Sequence, residues 1–292
     1  MQEIDVRAIA DFLGVEYNGP NFQITGVCSA TRPRDFRVSF INHNFDEHTQ
    51  WNSRTLYLVS EIPNETGISS FVVVDNPRFS FARVSAFLAP QAGLNGVHKL
   101  SSVGLGVLIG ENVSIGPFTV IEDGALIGDN VVIENNVTIR SCVEVGNQSR
   151  IKSNSVVGTD GFGFEMSETG VPTRIHHFGG VKIGEDVEIG CNSVICRGTI
   201  EDTVISNNVK IDDHVFVAHN VFIGERSMII AGSEISGSVR IGSDCWIAPQ
   251  VTILNKVTVG DRAFIGIGAV VNKSVEPGVV VVGNPAKFLR KR

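Results

Sequence analysis

The chain has 292 residues, 42% of them hydrophobic, and a formal net charge of −7 at pH 7. This is enough apolar sequence for one large or two modest buried cores, and so acidic a chain has no basic footprint for nucleic acid. The N-terminus lacks the basic start and apolar run of a signal peptide, and no segment is long and apolar enough to cross a membrane. We therefore expect a cytoplasmic protein whose five scattered cysteines, none in a Cys-x-x-Cys pair, stay reduced.

Residues 1–100 show no repeat and are predicted to form a small N-terminal α/β domain. Helices are expected over 5–13 and 77–88, and strands over 22–27, 55–59 and 71–74.

A six-residue period occupies residues 101–292. An aliphatic residue recurs at every sixth position over 109–157, again over 183–195, and again over 205–271, and the position after it is often glycine. A strict period of six with frequent glycine excludes an amphipathic helix. Each hexad reads as one short strand plus a turn, with the small residue allowing the corner, and three hexads close an eighteen-residue coil that buries its apolar face by stacking. The pattern predicts a mainly β protein, a parallel β-helix.

Two irregularities interrupt the repeat. Residues 158–182 form a glycine-rich insertion, and a short slip separates Ile195 from Ile205. Long loops within compact repeats are more often functional than not, so we expect the insertion to contribute to a site.

Three segments indicate a family. They are the run Gly-Thr-Asp-Gly-Phe-Gly-Phe at 158–164, the stretch 183–220 with Arg197-Gly198 and Val-Ala-His-Asn-Val at 217–221, and Asn-Pro-Arg at 76–78 in the N-terminal domain. Together they resemble UDP-3-O-acylglucosamine N-acyltransferases of lipid A synthesis. The resemblance implies a left-handed parallel β-helix, a homotrimer, and transfer of an acyl group from a thioester to the amine of a nucleotide-linked amino sugar.

The resemblance assigns catalytic roles to three residues. His219 follows the inward-facing Val217, so it lies on the outer surface of a coil, where the matching family residue is the general base. Asp212 matches the carboxylate that orients this base, although an Asp in such a turn is usually only a turn former. Gly237 lies eighteen residues after His219, one coil further on, and should stack beside it. There it either matches the residue whose N–H binds the oxyanion or is a simple corner glycine.

Substrate-binding residues are implied in both domains. Phe40, Asn42 and Phe45 match the nucleobase pocket, with a shorter Phe40–Asn42 spacing and a Phe45 where Tyr is usual; this favours uracil and leaves thymine open. Asn220, Lys256 and Phe162 fall in the region of the acyl donor or the sugar. No tightly bound cofactor and no metal are implied.

The acyl donor stays open between acyl carrier protein and coenzyme A. Lys256 stands where the family often has a second histidine, and the end of the chain from Gly283 resembles coenzyme A-dependent acetyltransferases. The alternative function is therefore a short-chain acyl-coenzyme A N-acyltransferase acting on a surface-polysaccharide sugar.

Two further classes remain as alternatives. A zinc carbonic anhydrase would use the His-x4-His spacing of His214 and His219 with a third histidine from His176 or His177. A trimeric scaffold without catalysis is the other, and the joint occurrence of a base, a carboxylate and a base-stacking pocket argues against it.

Overall fold

The computed structural model describes residues 3–41, 51–62, 69–89 and 96–292. The chain divides into two units, residues 1–93 and 94–292.

The first unit is an α/β arrangement around a small parallel sheet. Its elements are β1 (Ile4–Asp5), α1 (Val6–Leu13), β2 (Gln23–Ile24), β3 (Arg37–Phe40), β4 (Thr55–Val59), β5 (Phe71–Val73) and α2 (Pro77–Leu88). Strands β3, β4 and β5 are parallel in that order, and β1 pairs antiparallel with β2. The side chains of Asp5 and Asn76 cap the two helices by accepting from the Arg7 and Phe79 N–H groups. Leu56 and Leu58 of β4 are fully buried in its core.

The second unit is a parallel β-helix with three faces. The first face contains Ser102–Val103, Val120–Ile121, Thr138–Ile139, Val156–Thr159, Val194–Cys196, Phe216–Val217, Glu234–Ile235, Thr252–Ile253 and Val270–Val271. The second contains Leu108–Ile109, Leu126–Ile127, Val143–Val145, Val181–Ile183, Thr203–Ile205, Phe222–Ile223, Arg240–Ile241 and Thr258–Val259. The third contains Gly96–Val97, Ser114–Ile115, Val132–Ile133, Arg150–Ile151, Glu188–Ile189, Lys210–Ile211, Met228–Ile229, Trp246–Ile247, Phe264–Ile265, Val279–Val282 and the antiparallel Lys287–Lys291.

The period of the sequence produces the register of these sheets. Ile121 pairs with Ile139 one coil further on, and Ile235 pairs with Ile253 in the same way. From Ile115 to Val271 the recurring aliphatic side chains point inward and are almost completely buried in one continuous core, whereas Ile109 is partly exposed. Burial of each such side chain contributes about 1.5–3 kcal/mol, and only stacking of neighbouring coils achieves it.

The glycines that follow the aliphatic residues have a different role from the one predicted. The left-handed corner position falls two residues later, at Asn112 (φ 54°) and Asn130 (φ 57°), which is a conformation that asparagine tolerates. Gly110 is instead needed for close approach, because a Cβ there would lie 2.7 Å from the carbonyl carbon of Gly128 in the next coil. Small residues after the aliphatic position therefore allow coils to stack, whereas the residue two positions later, most often asparagine, turns the corner.

The insertion leaves the first face after Thr159, and the chain rejoins the β-helix at the second-face strand Val181–Ile183. Within it, Phe164–Met166 and Pro172–Arg174 pair as an antiparallel hairpin. Among the described residues no helix is long and apolar enough to span a lipid bilayer. All five cysteines are free.

Candidate active site

His219 lies in the turn that follows the first-face strand Phe216–Val217. Val217 is fully buried in the core, so the next residues turn outward and the imidazole of His219 is half-buried at the surface of the coil. The backbone of this turn is held by the coil that follows, because the Ala218 N–H donates to Ile235 O (2.9 Å) and the His219 carbonyl accepts from the Ser238 N–H (2.9 Å). The ring therefore projects from a rigid part of the β-helix.

The side chain of Asn220 determines which nitrogen of His219 carries the proton. Its Oδ1 accepts from the Thr199 N–H (3.1 Å) and its Nδ2 donates to Glu201 O (2.8 Å), so the amide has one possible orientation. His219 Nδ1 lies 2.9 Å from this Oδ1, which can only accept, so Nδ1 carries the hydrogen. In the neutral ring the other nitrogen, Nε2, then carries the lone pair, and no residue that the structure describes hydrogen-bonds to it. Asn220 thus orients the candidate base, and Thr199 and Glu201 orient Asn220.

Gly237 packs against the edge of the same ring. A Cβ at Gly237 would lie 2.8 Å from both Cε1 and Nε2 of His219, so only glycine leaves room for the imidazole as it stands. At several equivalent turn positions the backbone N–H is capped by a side chain of the next coil, as Glu111 is by Asp129 Oδ1 (2.7 Å). Within the described parts of the chain the Gly237 N–H has no such acceptor. A free N–H therefore stands beside a free imidazole nitrogen.

A cavity of about 360 Å³ opens in front of this pair. Its walls bring together four of the residues predicted from the sequence: His219, Gly237, Lys256 and Phe162. Phe162 reaches it from the insertion with 85% of its surface exposed. The remaining wall combines two apolar side chains with polar ones, namely Phe216, Ala218, Glu234, Ser236, Ser238 and Asn255. Such a cavity offers both an apolar surface and charged groups to a substrate.

The structure does not bring Asp212 to His219 within one chain. Asp212 follows the third-face strand Lys210–Ile211, whereas His219 follows a first-face strand, so the two side chains occupy different corners of the β-helix. The Asp212 carboxylate instead accepts from the Ala231 N–H (3.2 Å). Within the chain, Asn220 takes the orienting position that the sequence assigned to Asp212.

The N-terminal residues are placed only in part. Phe40 ends β3 and packs against Phe81 of α2, with ring centroids 4.8 Å apart. Asn42 and Phe45 lie outside the described residues. A nucleobase pocket built from these three residues stays a prediction.

Within one chain, the histidines that the structure describes are not gathered into the alternative zinc site. His214 lies at a third-face turn, a corner away from His219. His177 does reach His219, but no group of three potential metal ligands occurs in the ranges that the structure describes.

Sequence reasoning expected the insertion at a site and named Phe162, but it missed the contact that His177 makes with His219. His177 packs edge-on against His219, with centroids 5.5 Å apart and an interplanar angle of 79°. Gly161 lies against both rings, because a Cβ there would be 2.9 Å from His219 Cδ2 and 3.2 Å from His177 Nε2. The adjacent His176-His177 and the Gly161-Phe162-Gly163 run were the available signals, but no period relates them to His219.

Replacing Asn220 with Gly is expected to lower kcat by about 10²-fold, because His219 then loses the acceptor that selects its tautomer. Asn220 has φ 59°, so glycine fits the backbone without strain. Steady-state kinetics and thermal unfolding of the purified variant measure the effect.

Asn112→Gly is the matched control, since Asn112 also turns a corner with positive φ but lies in a distant coil. It should cost no activity. Equal losses in the two variants would contradict an orienting role for Asn220.

Comparisons with known proteins place these features in context. The bacterial transferase hexapeptide (six repeats) family matches residues 106–141, 124–159 and 238–273. A UDP-3-O-acylglucosamine N-acyltransferase from Coxiella burnetii (strain RSA 493 / Nine Mile phase I) is 32% identical over 94% of this chain and 87% of that protein. The protein of that name from Pseudomonas fluorescens (strain SBW25) is 34% identical over 99% of this chain and 89% of that protein.

Solved structures agree on the fold. A UDP-N-acetylglucosamine acyltransferase from Bacteroides fragilis 9343 superposes with a TM-score of 0.61 at 26% identity, covering 66% of this chain and 74% of that one. The Francisella novicida enzyme gives a TM-score of 0.61 at 28% identity, covering 67% and 69%. The predicted left-handed parallel β-helix and the family resemblance are confirmed.

Proposed function

Because this chain belongs to the UDP-3-O-acylglucosamine N-acyltransferase family and is an acyltransferase, we propose that it moves an acyl group from a thioester to the amine of UDP-3-O-acylglucosamine. The observation that carries the proposal is the pairing of a free imidazole nitrogen with an unoccupied backbone N–H at one cavity. Acyl transfer to an amine needs both groups, one for the proton and one for the oxyanion.

The geometry supports a complete transfer. His219 Nε2 takes a proton from the substrate amine as its nitrogen attacks the thioester carbonyl, and the Gly237 N–H binds the oxygen that becomes negative. The C–S bond then breaks as the carbonyl reforms, and His219 returns its proton to the departing thiolate. The product is an amide, and the imidazole ends neutral, ready for another cycle.

The proposal includes a homotrimer and a nucleotide pocket. In a trimer, the carboxylate of Asp212 from one subunit would contact His219 of the neighbouring subunit. Phe40, Asn42 and Phe45 would hold the uracil, so uridine monophosphate should compete with the sugar nucleotide and thymidine monophosphate should compete less well.

The proposal also specifies the acyl donor. We propose acyl carrier protein, as in lipid A synthesis, over coenzyme A. Purified protein is mixed with UDP-3-O-(3-hydroxyacyl)glucosamine and either 3-hydroxyacyl carrier protein or 3-hydroxyacyl-coenzyme A, and amide formation is followed by mass spectrometry. The same assay with His219→Asn controls for contaminating enzymes.

Turnover with the carrier protein supports the proposal as stated. Turnover only with coenzyme A corrects the donor and keeps the reaction. No amide with either donor, from protein shown to be folded, rejects UDP-3-O-acylglucosamine as the acceptor.

A further inference from the structure

His177 is a buried imidazole whose protonation state follows from its contacts. Only 6% of the residue is exposed. Its Nδ1 lies 3.1 Å from Ile175 O, and because a carbonyl oxygen can only accept, Nδ1 carries the hydrogen. The other nitrogen, Nε2, is then an acceptor, and it has no hydrogen-bond partner among the residues the structure describes. A buried acceptor left unpaired is costly, so its position calls for an explanation.

The unpaired Nε2 and the Cδ2 edge of His219 both lie beside Gly161. The place where a Gly161 Cβ would stand is 3.2 Å from His177 Nε2 and 2.9 Å from His219 Cδ2, so both atoms border the same glycine. The other edges of His219 are already in use. Its Nδ1 lies on Asn220 Oδ1, and its Nε2 borders Gly237 and the cavity. The Cδ2 edge is the one left, and His177 and Gly161 cover it.

A neutral His177 is compatible with a position next to His219. Burial lowers the pKa of His177, and the nearby His219 and Arg174 lower it further, while Asp160 and the Ile175 carbonyl oppose them. Because the largest cause is burial, the ring is disfavoured as a cation and stays neutral at neutral pH. A cation here would repel the imidazolium that His219 becomes during transfer. A neutral ring does not repel it, and a lone pair on a nitrogen that borders the same glycine as the Cδ2–H edge attracts it.

We propose that His177 is a positioning residue for His219, which the insertion carries to the catalytic turn. It holds the ring of His219 in place, and its Nε2 lone pair stabilises the imidazolium that forms when His219 takes the proton of the amine. This inference rests on the proposed function of His219 as the base. It gives the insertion a role besides contributing Phe162 to the cavity.

Two substitutions separate the two nitrogens of His177. In His177→Gln the amide oxygen stands near the position of Nε2, so an acceptor is kept. In His177→Asn the shorter amide reaches only the position of Nδ1, so the bond to Ile175 O is kept and the acceptor is lost. Both side chains are polar amides, so the free energies of burying them are similar.

Because the acceptor acts on the imidazolium and not on bound substrate, we expect kcat to fall roughly tenfold or more in His177→Asn, with KM within about twofold of wild type. His177→Gln should recover most of this loss. Equal activities in the two variants, or a loss confined to KM, would overturn the proposal, and thermal unfolding of each variant shows whether it is folded.

A measurement on the unaltered protein covers the case in which both variants unfold. Nitrogen NMR spectra of the imidazoles at pH 7 to 8 should show His177 neutral, with the hydrogen on Nδ1. A charged His177, or one protonated on Nε2, contradicts the proposal whatever the enzyme assay gives. Absence of acyl transfer by wild-type protein would reject the proposed function, and the spectra would still judge the state of His177.

Discussion

Replacing His219 with Asn is expected to lower kcat by about 10²–10⁴-fold, the range that a positioned acid–base group contributes. The physical reason is that Nε2 is the free nitrogen of a ring whose Nδ1 is held by Asn220, so its loss removes the acceptor for the amine proton. The Gly237 N–H is untouched, and residual turnover from oxyanion binding should persist. Initial rates with the amino-sugar substrate at saturating thioester measure the loss.

His214→Asn is the matched control for this variant. His214 is exposed and lies at a corner of the third face, with φ 59°, a conformation that asparagine accepts. The same histidine-to-asparagine change there should leave kcat within about twofold of wild type and the thermal midpoint within a few degrees. A His219→Asn enzyme with near-normal turnover would rule out His219 as the base, and a loss shared by both variants would point to a general effect on the fold.

The repeat could be predicted from the sequence because one residue in six determines the register. Ile121 and Ile139 must face inward for the coils to stack, and their spacing alone gives the pairing that the structure shows. The same arithmetic placed Gly237 beside His219, since residues eighteen apart in this fold are neighbours. Periodicity therefore predicts contacts between coils at least as well as it predicts strands.

The contacts that could not be predicted from the sequence lie where the six-residue period is interrupted. The insertion returns His177 to the catalytic turn by a path that depends on its own hairpin and on glycine contacts, and no spacing rule relates His177 to His219. Asp212 does not contact His219 within one chain for a different reason, and a contact between subunits stays a prediction. Seven residues span just over one hexad, so the two side chains project from different corners. Neighbours in sequence are not neighbours in space on a three-sided coil.

The glycines that follow the aliphatic residues serve a different purpose from the one expected. Glycine was expected to turn the corner, but the corner position has positive φ at Asn112 and its equivalents. Gly110 is needed because the next coil passes too close for a Cβ. The repeat pattern indicated that glycine was required at this position. Only the backbone geometry shows that the reason is the close approach of the next coil.

Replacing Gly237 with Ala is expected to lower kcat by about 10²-fold while leaving the fold intact. The new methyl would stand 2.8 Å from Cε1 and Nε2 of His219, closer than such atoms approach, so one of them must move. The atoms in the way belong to the end of a side chain that borders a cavity, so the ring can swing aside at the cost of its hydrogen bond to Asn220, about 0.5–1.5 kcal/mol. Catalysis cannot tolerate the same movement, because a displacement of about 1 Å at the reacting group can cost about 10²-fold in rate.

Ser236→Ala is the matched control, since Ser236 lines the same cavity one residue away. It removes a hydroxyl that donates to Glu234 Oε1 (2.9 Å) and adds nothing near the ring, so its kcat should stay within a few-fold of wild type. Alanine at 237 keeps the backbone N–H, which means that the oxyanion donor survives and the loss reports the displaced imidazole alone. Full activity in Gly237→Ala would show that His219 does not act from the position seen here. A large drop in the thermal midpoint would show instead that the ring has no room to move, and that the coil itself depends on glycine at this turn.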